Sequence, residues 1–210
     1  MDLSNVAAVL LDMDGTLVDS DAAVERAWTS WAAEFGADAA AVLAIAHGAP
    51  ADTTVRKIMA DATDDAVHRA ATRQLELQYD DLSDVRALDG ATDLFAVLER
   101  RGLPWAVVTS ADVRLARARL GAAGIVAPLV VTVEDISAGK PDPEGFLLAA
   151  ERLGVAPERC LVVEDSEPGL RAGRAAGAMT AALKGLDGDL RLRDLGELAE
   201  LLSAAGASPR

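Results

Sequence analysis

The stretch AVLLDMDGTLVDSD, Ala8 to Asp21, decides the fold. An apolar run from Val6 to Leu11 stops at two aspartates, Asp12 and Asp14, followed by Gly15 and Thr16. A run this short and this apolar reads as a central strand of a parallel sheet, buried on both faces. Two carboxylates at the end of such a strand are costly to bury without a cation or hydrogen-bond partners. The stretch therefore predicts a site that holds Mg²⁺ and acts on something anionic.

Working outward, the next segment changes character. Residues 22 to about 80 are Ala-rich, with Trp28, Trp31, Phe35, Val42, Leu43, Ile58, Met59, Leu75 and Leu77 at helical intervals. The spacing predicts four helices, near 21–35, 39–46, 51–60 and 63–80. From Asp89 onward helices and strands alternate. Helices are expected near 91–101, 111–120, 143–153, 168–176 and 195–204, and strands near 104–108, 129–133, 159–163 and 178–183. Strands alternating with helices of about ten residues imply a parallel sheet covered on both faces. The expected class is α/β, a Rossmann-like three-layer core with an inserted α-helical cap. The expected boundaries are 1–18 and 86–210 for the core and 19–85 for the cap.

Composition narrows the function classes. The chain has 210 residues, of which 51% are hydrophobic and 3% aromatic, so small aliphatics must build the core. The formal net charge of −14 repels nucleic acid and anionic lipid, and neither is an expected partner. No apolar stretch reaches the roughly 20 residues that cross a bilayer, and the first residues lack the basic start of a secretory signal. One cysteine, Cys160, sits in the apolar run CLVVED and reads as a small buried hydrophobe. A lone cysteine excludes internal disulfides and fits a reducing cytoplasm. A monomer is expected.

Four polar clusters follow apolar strands: Asp12/Asp14, Thr109/Ser110, Lys140 behind Ser137-Ala138-Gly139, and Glu164/Asp165. In open parallel sheets ligands bind beyond the carboxyl ends of the strands, where all four fall. Together they fit phosphoryl transfer. Lys140 supplies charge, Thr109 a hydroxyl, and the Met13–Gly15 and Ser110 backbones N–H groups. Asp12, Asp14 and Asp165 offer the hard oxygens Mg²⁺ prefers. One carboxylate can attack phosphorus while a second moves the proton. Monoester hydrolysis asks for up to ~10²¹ in rate, more than metal or a single base supplies.

DMDGT, VVTS, GKPDPEGF and VVEDSEPGL resemble, in order, the four motifs of the haloacid-dehalogenase superfamily, and the insert after the first resembles its C1-type cap. The resemblance spans nearly the whole chain. It is nearest to the sugar phosphatase, 2-deoxyglucose-6-phosphatase and glycerol-phosphatase branch, through LVDSDAAVERAW, AHGAPADTTVRKI and LPWAVVTS. The resemblance implies a Mg²⁺-dependent phosphatase acting on a small sugar or polyol phosphate. It implies Asp12 as nucleophile, Asp14 as acid/base, and Thr109 and Lys140 as phosphoryl-binding groups. It also implies Asp165 as a metal ligand, Glu164 as a ligand direct or through water, and Asp14 as a ligand through its backbone carbonyl. His47 and Gly48, with Thr53 and Arg56, become candidate substrate contacts in the cap.

Several residues have blander readings. Asp19 and Ser20 can cap a helix as well as form a cap hinge. Trp28 and Trp31, three apart on one helix, read as cap core rather than a stacking platform. A sugar phosphomutase resembling β-phosphoglucomutase shares the core and cap type, but Val24 stands where that branch carries histidine, and the cap has few cations. A dehalogenase lacks the second aspartate. A non-catalytic protein on this scaffold would have lost a motif residue, and none is lost.

Overall fold

The computed structural model describes residues 3–46, 50–79 and 81–206. β1 (Ala8–Leu11) is buried at every position. β2 (Val18–Asp19) follows, then four helices: α1 (Asp21–Phe35), α2 (Ala39–Ala46), α3 (Ala51–Ile58) and α4 (Asp64–Leu77). β3 (Arg86–Ala87) returns the chain by pairing antiparallel with β2, Val18 opposite Ala87 and Asp19 opposite Arg86. The remainder alternates: α5 (Ala91–Arg101), β4 (Trp105–Val108), α6 (Val113–Ala122), β5 (Val130–Val131), α7 (Glu144–Leu153), β6 (Cys160–Glu164), α8 (Glu167–Ala175), β7 (Met179–Ala182), β8 (Leu190–Arg191) and α9 (Leu195–Ala205).

Six strands form one sheet in the order β5-β4-β1-β6-β7-β8, every pair parallel. β1 therefore lies between β4 and β6. Because strand side chains alternate faces, Val9 and Leu11 join one hydrophobic cluster with Leu94, Leu98, Leu115 and Leu198 of α5, α6 and α9. Ala8 and Leu10 join another with Phe146, Ala149 and Ala172 of α7 and α8. This is the expected three-layer α/β architecture. Full burial of a side chain the size of Leu10 or Phe146 contributes roughly 1.5–3 kcal/mol.

The four inserted helices have a third cluster of their own, built on Trp28, Trp31, Val42, Val55, Val67 and Ala70. Trp31 is fully buried, donates Nε1–H to the Ala70 carbonyl at 2.8 Å, and stacks on Phe35 at 4.9 Å. Gly36 ends α1 with φ 67°, a conformation that favours glycine. Thr63 caps α4, accepting from Ala66 N–H at 3.3 Å.

Helix and strand positions follow the sequence expectations, with differences at the ends. The strand expected near 129–133 shortens to Val130–Val131. Thr132 and Asp135 form a capping box that turns the chain into a 3₁₀ turn over 133–135. β2, β3 and β8 have two residues each, too few to show a period. Ser20 occupies the N-cap position of α1 but caps nothing with its side chain. Its hydroxyl is used at the site, and Asp19 pairs with Arg86 at 2.5 Å.

Candidate active site

All four polar clusters sit at the carboxyl edge of the sheet. Asp12 follows β1, Thr109 follows β4, and Glu164 ends β6 with Asp165 beyond it. Parallel pairing puts β4 and β6 on either side of β1, so residues about 100 and 150 positions away in sequence become neighbours of Asp12. Lys140 arrives from the loop before α7, whose first turn is tied down by Glu144. That carboxylate accepts from Ser137 N, Ser137 Oγ and Ala138 N at 2.9, 2.7 and 2.8 Å.

Lys140 is the electrostatic centre. Its ammonium pairs with Asp12 Oδ1, lies 2.7 Å from Glu164 Oε1, and donates to the Val108 carbonyl at 2.9 Å. Burial opposes its charge, but Asp12 and Glu164 outweigh that and raise its pKa. Burial pushes the Asp12 carboxyl well above the ordinary carboxylate range; Lys140 pulls it down, and Glu164 and Asp165 push it up. Asp165 is also raised by burial, against the pull of Lys184. Lys184, at φ 52°, reaches Asp165 at 2.9 Å and Asp21 at 3.6 Å.

Oxygens of Asp12, Glu164 and Asp165 converge to within 4.8 Å of one another. Three carboxylates against Lys140 and the half-exposed Lys184 leave excess negative charge, and the donors are all hard oxygens. The set fits a small divalent cation such as Mg²⁺. Two glycines make the room. A Cβ on Gly15, at φ 81°, would overlap the Asp165 carboxylate and the Lys184 ammonium, and one on Gly169 would overlap the Glu164 carboxylate. Glu164 Oε2 accepts from Asp165 N, Ser166 N and Ser166 Oγ, which fixes its orientation.

Asp14 lies apart from that cluster. Ser20 Oγ donates to its Oδ1 at 2.6 Å, and Arg119 pairs with its Oδ2 at 2.7 Å. Thr109 Oγ1 accepts from Ala111 N–H at 3.1 Å, leaving the hydroxyl proton free to donate. Gly15 spends its N–H on the Val18 carbonyl at 2.8 Å, so its contribution beside an anion is the missing Cβ and not a donor. A cavity of about 550 Å³ spans this edge and the helical unit, in the range of small-molecule sites. Asp12, Asp14, Thr109, Ser110, Lys140 and Asp165 line its floor.

The opposite wall differs from expectation. It is made by Val24, Trp28, Ala46, Ala51, Gln74, Leu75 and Gln78. Trp28 is 3% exposed and serves both the cap core and the cavity. Thr53 and Arg56 do not line the cavity. Thr53 turns to Asp52, and Arg56 pairs with Asp64 at 2.5 Å and donates to the Ala62 carbonyl at 3.2 Å. His47 and Gly48 lie outside the described residues. Arg119, Gln74, Gln78 and Lys184 were not singled out from sequence. Arg119 and Gln74 each continue the apolar face of their helix, Arg119 beside Leu115, Ala116 and Leu120, and Gln74 beside Val67, Ala70 and Ala71. A polar residue on a buried helical face is the signal that marks them.

A parallel sheet with this edge, interrupted after β1 by a helical unit, defines a hydrolase class, and the haloacid dehalogenase-like hydrolase family matches residues 6–177. The chain belongs to that family. It is 44% identical over 175 residues to hexitol phosphatase A of Escherichia coli (strain K12), covering 83% of this chain and 81% of that one. It is 30% identical over 192 residues to 2-deoxyglucose-6-phosphate phosphatase 1 of Saccharomyces cerevisiae, covering 83% and 78%. A hydrolase from Pseudomonas syringae superposes with a TM-score of 0.83 at 26% identity, over 94% of this chain and 98% of that one.

Proposed function

We propose that this protein is a Mg²⁺-dependent phosphatase of small sugar or polyol phosphates, working through an aspartyl phosphate on Asp12. The carrying observation is the convergence of Asp12, Lys140, Glu164 and Asp165 on one point under the cavity. The names of the relatives, a hexitol phosphatase and a deoxyglucose-phosphate phosphatase, supply the substrate class.

Asp12, Glu164 and Asp165, with the backbone carbonyl of Asp14, are the groups that would hold the ion. A bound Mg²⁺ would supply charge neutralisation for the phosphoryl group. Lys140, the Thr109 hydroxyl and the backbone N–H groups of Met13 and Ser110 hold those oxygens. An Asp12 oxygen attacks phosphorus, the bond from phosphorus to the alcohol oxygen breaks, and Asp14 delivers a proton to that oxygen. Asp14 then takes a proton from water as the water oxygen attacks phosphorus. The bond between phosphorus and Asp12 breaks, inorganic phosphate leaves, and the Asp12 carboxylate is restored. Residues 19–85 form the cap that excludes bulk water during these steps, on a core of 1–18 and 86–210.

The mutase alternative is not favoured. A mutase cap must hold a second phosphate. Among the described residues, the cap side chains on the cavity wall include no cation. Arg26, Arg69, Arg73 and Arg86 are spent on surface carboxylates at Asp84, Asp65, Glu34 and Asp19. No described helix is long and apolar enough to cross a membrane. The lone cysteine supports placing the enzyme in a reducing cytoplasm, and we take it to act as a monomer. The test is phosphate release with Mg²⁺ from sorbitol 6-phosphate, 2-deoxyglucose 6-phosphate and glycerol phosphate. Glucose 1-phosphate with a bisphosphate primer is run alongside. Release from the first group is expected; isomerised sugar phosphate without release would overturn the reading.

A further inference from the structure

Asp14 is held by a chain of polar groups that crosses from the core to the helical unit. Arg119 of α6 is 2% exposed, and its Nη1 lies 2.7 Å from Asp14 Oδ2. Its Nη2 donates to Gln78 Oε1 at 2.6 Å, and Gln78 Nε2 donates to Gln74 Oε1 at 2.7 Å. The direction of the chain is forced. Arginine only donates, so Gln78 must offer it the carbonyl oxygen, and its amide nitrogen must then face Gln74. Gln78 follows the last turn of α4, in the inserted unit, and Asp14 belongs to the loop after β1.

A buried guanidinium is costly unless its charge and donors are matched. Arg119 Nε has no protein partner, so the guanidinium rests on two contacts, one in each unit. Withdrawing α4 removes one of them and leaves Arg119 tethered by Asp14 alone. Ser20, the other group on Asp14, lies where the chain enters the helical unit. Both restraints on Asp14 thus depend on how that unit is seated.

We propose that Arg119 is the positioning residue for Asp14, and that Gln78 makes its grip depend on the seating of the helical unit over the cavity. The proposal rests on Asp14 being the acid/base. Asp14 is then aligned only when the cavity is covered, which ties proton transfer to exclusion of bulk water.

The test uses the full-length protein with Mg²⁺ and p-nitrophenyl phosphate in stopped flow, beside sorbitol 6-phosphate in steady state. Nitrophenolate leaves without a proton, so the first half-reaction needs no acid, while breakdown of the aspartyl phosphate needs Asp14 as base. R119M is expected to give a burst of nitrophenolate approaching one equivalent per site. Turnover should then fall roughly 100-fold, within the range general acid–base catalysis supplies. R119K should recover part of this, because it keeps the charge but cannot span both partners. Q78L should lower kcat several-fold, again with a burst, and lower KM for p-nitrophenyl phosphate in parallel, so that kcat/KM is unchanged. Loss of activity without a burst, or wild-type turnover in R119M and Q78L, overturns the proposal. If R119M fails to fold by circular dichroism, R119K and Q78L decide by the same criteria. D14N separates the two readings. Wild-type turnover in D14N ends the acid/base assignment itself. A burst and stall in D14N, with normal R119M and Q78L, ends only the role of Arg119.

Discussion

The core edge and the inserted helices treat charge in opposite ways. At the core edge, Asp12 and Glu164 are buried, the Lys140 side chain is nearly so, and the three are matched to one another within a few ångströms. In the helices, Arg26, Arg56, Arg69 and Arg73 sit in half-exposed or exposed pairs with Asp84, Asp64, Asp65 and Glu34. Buried charges interact strongly and punish the loss of a partner, whereas exposed pairs contribute about 0–1 kcal/mol. Chemistry is therefore concentrated on the sheet side. The helical side presents Trp28, Leu75 and amides, with Asp21 its one charged group there among the described residues and no cation.

The largest test of that contrast is Asp12→Asn. It keeps the shape and removes the proposed nucleophile, and turnover of any phosphate ester should fall by on the order of 10⁴-fold or more, with an unchanged circular dichroism spectrum. Lys140→Met comes next. It strands Asp12 and Glu164, and breaking a buried pair from one side costs about 3–5 kcal/mol. kcat should fall by roughly 10²–10³-fold with the lost phosphoryl clamp, and the melting temperature should drop. A Lys140→Met protein as stable and active as wild type would contradict a charge-matched core.

Metal removal probes the same edge through pH. Burial raises the Asp12 carboxyl in the metal-free protein. A group raised on folding contributes its stability below its unfolded pKa, near 4, and loses it as pH climbs through the folded value. In the metal-free protein the contribution of Asp12 to stability should thus be lost as pH climbs above about 4 through its raised value. Mg²⁺ binds the ionised form, so its stabilisation should grow over the same interval. At a hundredfold excess over Kd the gain is about 2.7 kcal/mol, a rise of roughly 5–10 °C for a chain of this length. Thermal melts with Mg²⁺ and with EDTA from pH 4 to 8 measure it, and an increment that shrinks with rising pH would contradict the sign.

What could be read in advance follows the same division. Carboxylates abutting an apolar run are conspicuous, because nothing but a site repays their burial. Asp12, Asp14, Glu164 and Asp165 were therefore legible, and the parallel order of β4, β1 and β6 only had to bring them together. Arg119 was not. α6 carries Arg114, Arg117 and Arg119, and only the phase of the helix against Leu115 and Leu120 turns one of the three inward. Gln74 and Gln78 were hidden in the same way on α4. Thr53 and Arg56 stood out by their place just beyond His47-Gly48 in the cap segment, and nearness in sequence does not fix which helix face meets the cavity.

The smallest expected effect is therefore informative. Arg56→Ala removes an exposed pair with Asp64, whose side chain is 98% exposed. Such a pair contributes about 0–1 kcal/mol, and its guanidinium is absent from the cavity wall. Thr53→Ala removes only a weak local contact to Asp52 at 3.4 Å. Both variants should keep kcat and KM for sorbitol 6-phosphate within about twofold of wild type, as surface changes away from a site usually do. A tenfold rise in KM for Arg56→Ala would mean that a charged cap residue reaches the bound ester. The cap would then select by charge as well as by shape, and the division between the two regions would fail at the cap.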